Sequence, residues 1–112
     1  MTDTETTTID LLAHIREAKN IIEEAEITRE EAERNALPRR PLAYIRAFYY
    51  RFDMIPSETC LADHLHGYGV RNSKKKAKAA LKRLEFNGIL TEVGRFSGRR
   101  HLTQKGYEYY AT

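Results

Sequence analysis

Apolar positions recur along this chain with a spacing that changes from one stretch to the next. Leu11, Ile15, Ala18, Ile22 and Ala25 follow each other at alternating intervals of four and three. That heptad-like stripe predicts an amphipathic helix. Arg29 then takes an apolar place, and Thr28-Arg29-Glu30-Glu31 has the form of a capping box, so a second short helix is expected there. In Leu37-Pro38-Arg39-Arg40-Pro41 each proline disfavours helix in the residue before it, which predicts an extended linker. Beyond it, Leu42, Ile45, Phe48, Tyr49 and Phe52 form one face of a helix that starts at Pro41 and ends near Asp53.

Met54-Ile55-Pro56 reads as a short extended bridge. Ser57 caps a helix through Leu61, Ala62 and Leu65 that stops at Gly67. Asn72 or Ser73 opens the next helix, which runs to Asn87 and stops at Gly88. Ile89 to Phe96 is expected as a strand, Ser97-Gly98 as a hairpin turn and Arg99 to Leu102 as the returning strand. Thr103 to Gly106 leads into a last short helix with Tyr107 and Tyr110 on one side.

Charge sharpens this division. Up to Leu37, ten carboxylates against four Lys/Arg leave −6; from Pro38 onward, fifteen Lys/Arg against six carboxylates leave +9. Such asymmetry assigns two tasks to one chain, with the basic part facing a polyanion. The expected domains are therefore an acidic helical arm (1–37), a Pro/Arg linker (38–41) and a basic domain (42–112). The arm stripe has two readings, a helix lying on its own domain or a dimerising pair through Leu11, Ile15, Ala18, Ile22 and Ala25. The chain has 112 residues, which leaves room for one small core, so self-association is expected. A single cysteine, Cys60, suits a reducing compartment. With no long apolar run and a polar start, the expectation is a cytoplasmic, nucleoid-associated protein without membrane contact.

The order helix, bridge, helix, turn, helix, hairpin is that of a winged helix-turn-helix. Ala80-Leu81-Lys82-Arg83-Leu84-Glu85 followed by Asn87-Gly88-Ile89-Leu90 resembles the passage from recognition helix to wing in that superfamily. Leu102-Thr103-Gln104-Lys105-Gly106-Tyr107 is similar to the segment closing the wing in MarR-like and PadR-like transcription regulators. Leu61-Ala62-Asp63-His64-Leu65 fits the helix before the turn, with Val70 in the place of the turn's buried aliphatic residue. The stretch from His66 to Asn72 is longer than the usual tight turn. The resemblance implies a mainly α fold with a small β-hairpin, a winged helix-turn-helix preceded by the arm. It also implies sequence-specific binding of double-stranded DNA by a small, homodimeric transcription regulator. A replication or partition protein of a plasmid or phage, or a winged helix that assembles with other proteins, are the alternatives.

The residues expected at DNA follow from helical geometry. Ala77, Ala80, Leu81 and Leu84 share the core face of the third basic-domain helix, which turns Lys75, Lys78 and Lys82 outward with Ala79 beside them. A helix there fits the major groove, where lysines reach guanine acceptors or phosphates and an alanine reaches a thymine methyl. Ser73, Lys74 and Lys75 at the helix start, with Arg71 and Asn72 in the turn, complete that surface. Lysines crowded at a helix N-terminus oppose the helix dipole unless an anion lies close. In the expected wing, Arg95 lies opposite Arg100 with Arg99 beside it, a like-charge pair that a phosphate backbone would neutralise.

Other chemistry finds less footing. Cys60 and His64 lie one helical turn apart with His66 nearby, but only distant His14 or His101 would complete a metal site. Tyr49, Tyr50, Tyr107, Tyr109 and Tyr110 fit core or interface positions better than a base-stacking platform. No phosphate-binding glycine loop, paired carboxylates or nucleophile–base–orienter set is visible, so neither enzyme activity nor a cofactor is expected.

Overall fold

In a computed structural model, residues 3–93 and 99–111 are described, residues 3–10 by their backbone alone. The fold is mainly helical. Six helices occur among the described residues: α1 (Asp3–Glu24), α2 (Arg29–Arg34), α3 (Pro41–Phe52), α4 (Glu58–Gly67), α5 (Ser73–Phe86) and α6 (Gln104–Tyr110). None is long and apolar enough to cross a membrane.

Local chemistry starts and stops most of these helices as expected, while α6 begins at Gln104, earlier than read from the sequence. Thr28 Oγ1 accepts from the Glu31 N–H at 3.1 Å while the Glu31 carboxylate accepts from the Thr28 N–H, a complete capping box for α2. Pro41 opens α3 and Asp53 closes it in the left-handed conformation. Ser57 Oγ accepts the Cys60 N–H at 3.1 Å and Thr103 Oγ1 accepts the Gly106 N–H at 3.0 Å, capping α4 and α6. Asn72 stands at the start of α5 but makes no side-chain cap bond.

α3 runs through the middle of the molecule. Leu42 and Ile45 are buried as predicted, whereas Phe52 is exposed at the far end. Tyr44, Arg46 and Ala47 are buried as well, because α3 is covered on two sides. α4 and α5 cover one side, with Leu61, Leu65, Leu81 and Leu84 in the main core. On the other side α2 sets Ala32 against Ala47, with Ile27 beside them.

The acidic segment belongs to the same core. Ile21 and Ala25 are buried with Leu61 and Leu81. Tyr109 donates to the Ile21 carbonyl at 3.0 Å, and Arg40 donates to the Glu26 carbonyl at 2.9 Å, closing the C-terminal end of α1. Segment 36–40 is non-helical as its prolines predict, and it is tied down. Tyr68 donates to the Leu37 carbonyl at 3.1 Å, and His64 Nε2 lies 2.9 Å from the Pro38 carbonyl oxygen.

The expected pair of strands is not formed among the described residues. An isolated antiparallel bridge joins Leu90 to Leu102, supported by Thr91 N–H to His101 O at 2.8 Å and Thr103 N–H to Ile89 O at 3.1 Å. Thr91 Oγ1 also accepts the His101 N–H at 3.0 Å, so a side chain takes a bond that a longer ladder would give to backbone. Val93, on the stretch expected as the first strand, is exposed. The predicted Ser97-Gly98 turn lies outside the described residues. α6 presses close on this bridge: a Cβ at Gly106 would stand 2.2 Å from the Ile89 carbonyl oxygen. That close approach is the physical requirement for glycine in the Leu102–Tyr107 motif.

Candidate nucleic-acid interface

α4, the turn and α5 bring most of the predicted DNA residues to one surface. After α4, the Val70 N–H donates back to the Leu65 carbonyl at 3.0 Å. Gly69 and Asn72 supply two left-handed bends, at φ +74° and +55°, that carry the long turn into α5. Val70 is half-buried against the core. Ala77, Ala80, Leu81 and Leu84 then hold α5 down, and the opposite face is open.

On that open face Lys74, Lys75, Lys78, Ala79 and Lys82 are all exposed, as are Arg71 and Asn72 in the turn, while Ser73 is half-buried. Lys82 reaches Glu85 at 3.4 Å. Lys74, Lys75, Lys76 and Lys78 have no ion-pair partner among the described residues. Arg71, Lys74 and Lys75 line an open hollow of about 580 Å³ with His66 at its edge. Concentrating cations at a concave, solvent-facing helix end creates a positive field for an anionic backbone.

The arginines expected in a wing separate. Arg99 is exposed, its guanidinium against Met54 Sδ. Arg100 is only 4 % exposed and donates to the Glu85 carboxylate, itself largely buried. Its assignment as a DNA-binding residue is therefore corrected: Arg100 ties the returning segment to α5 and is withdrawn from any phosphate. The expected repulsion with Arg95 loses its basis, since Glu85 already neutralises Arg100; Arg95 itself lies outside the described residues.

The arm stripe separates too. Leu11, Ile15, Ala18 and Ile22 are exposed, with Leu11 at 58 %. Ala25 is fully inside the protein's own core and leaves the dimerisation set. At about 100° per residue, Ile21 and Ala25 lie on a face roughly a quarter-turn from that stripe. The inward face also carries Glu17 and Glu24, which hold Arg83 of α5 at 2.8 and 2.6 Å. Those two carboxylates raise the Arg83 pKa above its usual value, the hydrogen bond that Arg83 donates to Glu17 contributing most. His14 stacks over Phe86, whose ring is 77 % exposed at the end of α5.

Sequence reasoning missed Lys76, Arg83 and Phe86 as neighbours of this surface. Helical phase puts Lys76 and Arg83 at its edge and Phe86 on the lysine face itself, at its C-terminal end, but only the packing of α1 shows which side is walled. The tyrosines form a structural cluster. Tyr50 donates to the Tyr110 carbonyl at 2.8 Å and accepts from Arg46 Nε at 2.7 Å. Burial pushes Tyr109 up to about 12 and Tyr110 further. Cys60 Sγ sits 3.4 Å from the Tyr44 hydroxyl, and His64 stacks on the Tyr44 ring. Among the described residues no three His, Cys, Asp or Glu side chains gather as metal ligands would. Comparison with family models, curated proteins and solved structures finds no match to this chain.

Proposed function

We propose that this chain binds double-stranded DNA as a small winged helix-turn-helix regulator, with α5 as the recognition helix. The carrying observation is the asymmetry of α5: an apolar face in the core and an opposite face of exposed lysines without anionic partners among the described residues. Long ammonium side chains on a rigid helix suit the major groove, where they meet phosphates and guanine edges. The Leu90–Leu102 bridge supplies the base of a small wing, and Arg99 is its exposed cation in the described part. Regulation of transcription is the reading drawn from the MarR-like and PadR-like resemblance; plasmid or phage replication and partition use the same surface chemistry.

The test is a binding titration on random duplex DNA over a range of salt, followed by selection of a preferred site. Removing one lysine–phosphate interaction lowers the magnitude of the log K against log salt slope by about 0.9. Lys75→Ala with Lys78→Ala should give a shallower slope at unchanged fold. Absence of binding by the parent protein at low salt ends the proposal and favours a protein-assembly role.

The exposed stripe of α1 supports a homodimer, in which Leu11, Ile15, Ala18 and Ile22 of two copies cover each other. Leucine and isoleucine at heptad spacing on an otherwise charged helix are the pattern of a helix seam. Ile15→Asp with Ile22→Asp should reduce self-association in analytical ultracentrifugation and leave the core intact, since neither side chain enters it. A monomeric parent protein removes the dimer from the proposal.

A further inference from the structure

A groove of about 350 Å³ lies where the end of α1, the start of α3 and the middle of α5 meet. Its volume is at the small end of the range for ligand pockets. Pro41, Leu42 and Ala80 give it aliphatic walls, and no aromatic ring lines it. Arg40, Lys76 and Arg83 border it with one carboxylate, Glu24; Glu17, which also holds Arg83, brings the formal charge around this apolar trough to +1.

Two of these cations are already engaged. Arg40 donates to the carbonyls of Glu24 and Glu26, and Arg83 is held by Glu17 and Glu24. Lys76 is exposed and has no ion-pair partner among the described residues. We infer that this groove binds a small aliphatic carboxylate, its chain along Leu42 and Ala80 and its anionic end on Lys76. Inorganic or nucleic-acid phosphate would use the ammonium and leave the apolar walls uncovered. An aromatic acid finds no ring to stack on. An alkyl amine meets like charge.

Binding is read without DNA, so failure of this inference and failure of the DNA-binding proposal are distinguishable. The full chain is titrated at fixed ionic strength with hexanoate, hexylammonium, hexanol and inorganic phosphate, following the backbone amide resonances of residues 76–83. Hexanoate should shift them saturably, with an affinity about tenfold above that of hexylammonium. Lys76→Gln should weaken hexanoate about threefold to fivefold, as expected for an exposed ion pair. Ala79→Leu fills the groove from an exposed wall position and should abolish the shifts while the circular dichroism spectrum stays unchanged. Equal binding of hexylammonium or hexanol, saturation by phosphate at the hexanoate concentration, or undiminished binding in Ala79→Leu would each overturn the inference.

Discussion

The outward face of α5 and the arginine seams of the interior carry the same sign of charge and use it differently. Lys74, Lys75, Lys76 and Lys78 point to solvent with no ion-pair partner among the described residues. Arg100, Arg83, Arg40 and Arg51 instead have partners within the molecule, Arg100 alone of these four being buried: they hold Glu85, Glu17 and Glu24, and carbonyls at the ends of α1 and α2. A planar guanidinium offers several fixed donors and suits such stitching, whereas a lysine ammonium remains a mobile point charge. The lesson is that a +9 half-chain is not a +9 surface. Only cations without internal partners are available to a polyanion, and among the described residues of the basic half most of these are lysines of α5.

The sharpest way to break this contrast is Arg100→Ala. It leaves the largely buried Glu85 carboxylate with only the more distant Lys82 ammonium, and the cost in urea unfolding should approach, without reaching, the about 3–5 kcal/mol of a buried charge left with no partner. A change within experimental error would mean that Arg100 is not an interior cation, and would return it to the proposed DNA-binding surface. Gly106→Ala tests the same seam from the other side. Its methyl group meets the Ile89 carbonyl, so α6 or the bridge must shift, at about 1–3 kcal/mol. A neutral result there would show that α6 is not pressed on the bridge.

A smaller effect should appear at high pH. Tyr109 is held near 12 against an ordinary value of 10.0 by burial. The unfolded chain releases that proton first, so the stability contributed is complete below pH 10 and is lost as pH rises through about 12. Tyrosinate absorbance and circular dichroism followed together should report ionisation of the cluster coinciding with unfolding. Independent ionisation well before unfolding would remove Tyr109 from the buried seam. The least effect on stability belongs to Lys78→Ala, expected within about 0.5 kcal/mol because the side chain is exposed. Its effect on the preferred DNA site should be about 1–3 kcal/mol if it meets a base. A stability change beyond that bound would place Lys78 in the fold and not on the interface.

Much was legible in the chain because its causes are local. The capping box at Thr28, the cap at Ser57, Pro41 at a helix start and the core face of α5 each depend on residues within a turn or two. The same holds for the exposed lysines, since one helical face in the core dictates the other. Tertiary structure decided what depends on distant partners. It turned Ile21 inward beside Ala25 and left Ile22 in the open, because α1 meets α3, α5 and α6 on a face that heptad counting does not name. It buried Ala47 because α2 folds back over α3, Tyr44 because His64 of α4 stacks on its ring, and Arg46 among Tyr50, Tyr109 and Tyr110, and it paired Arg100 with Glu85, fifteen residues away in sequence. A charge or methyl group carries no record of what will face it across the fold. Periodicity therefore determined which residues form helices, and packing alone determined which cations and apolar faces remained free to act.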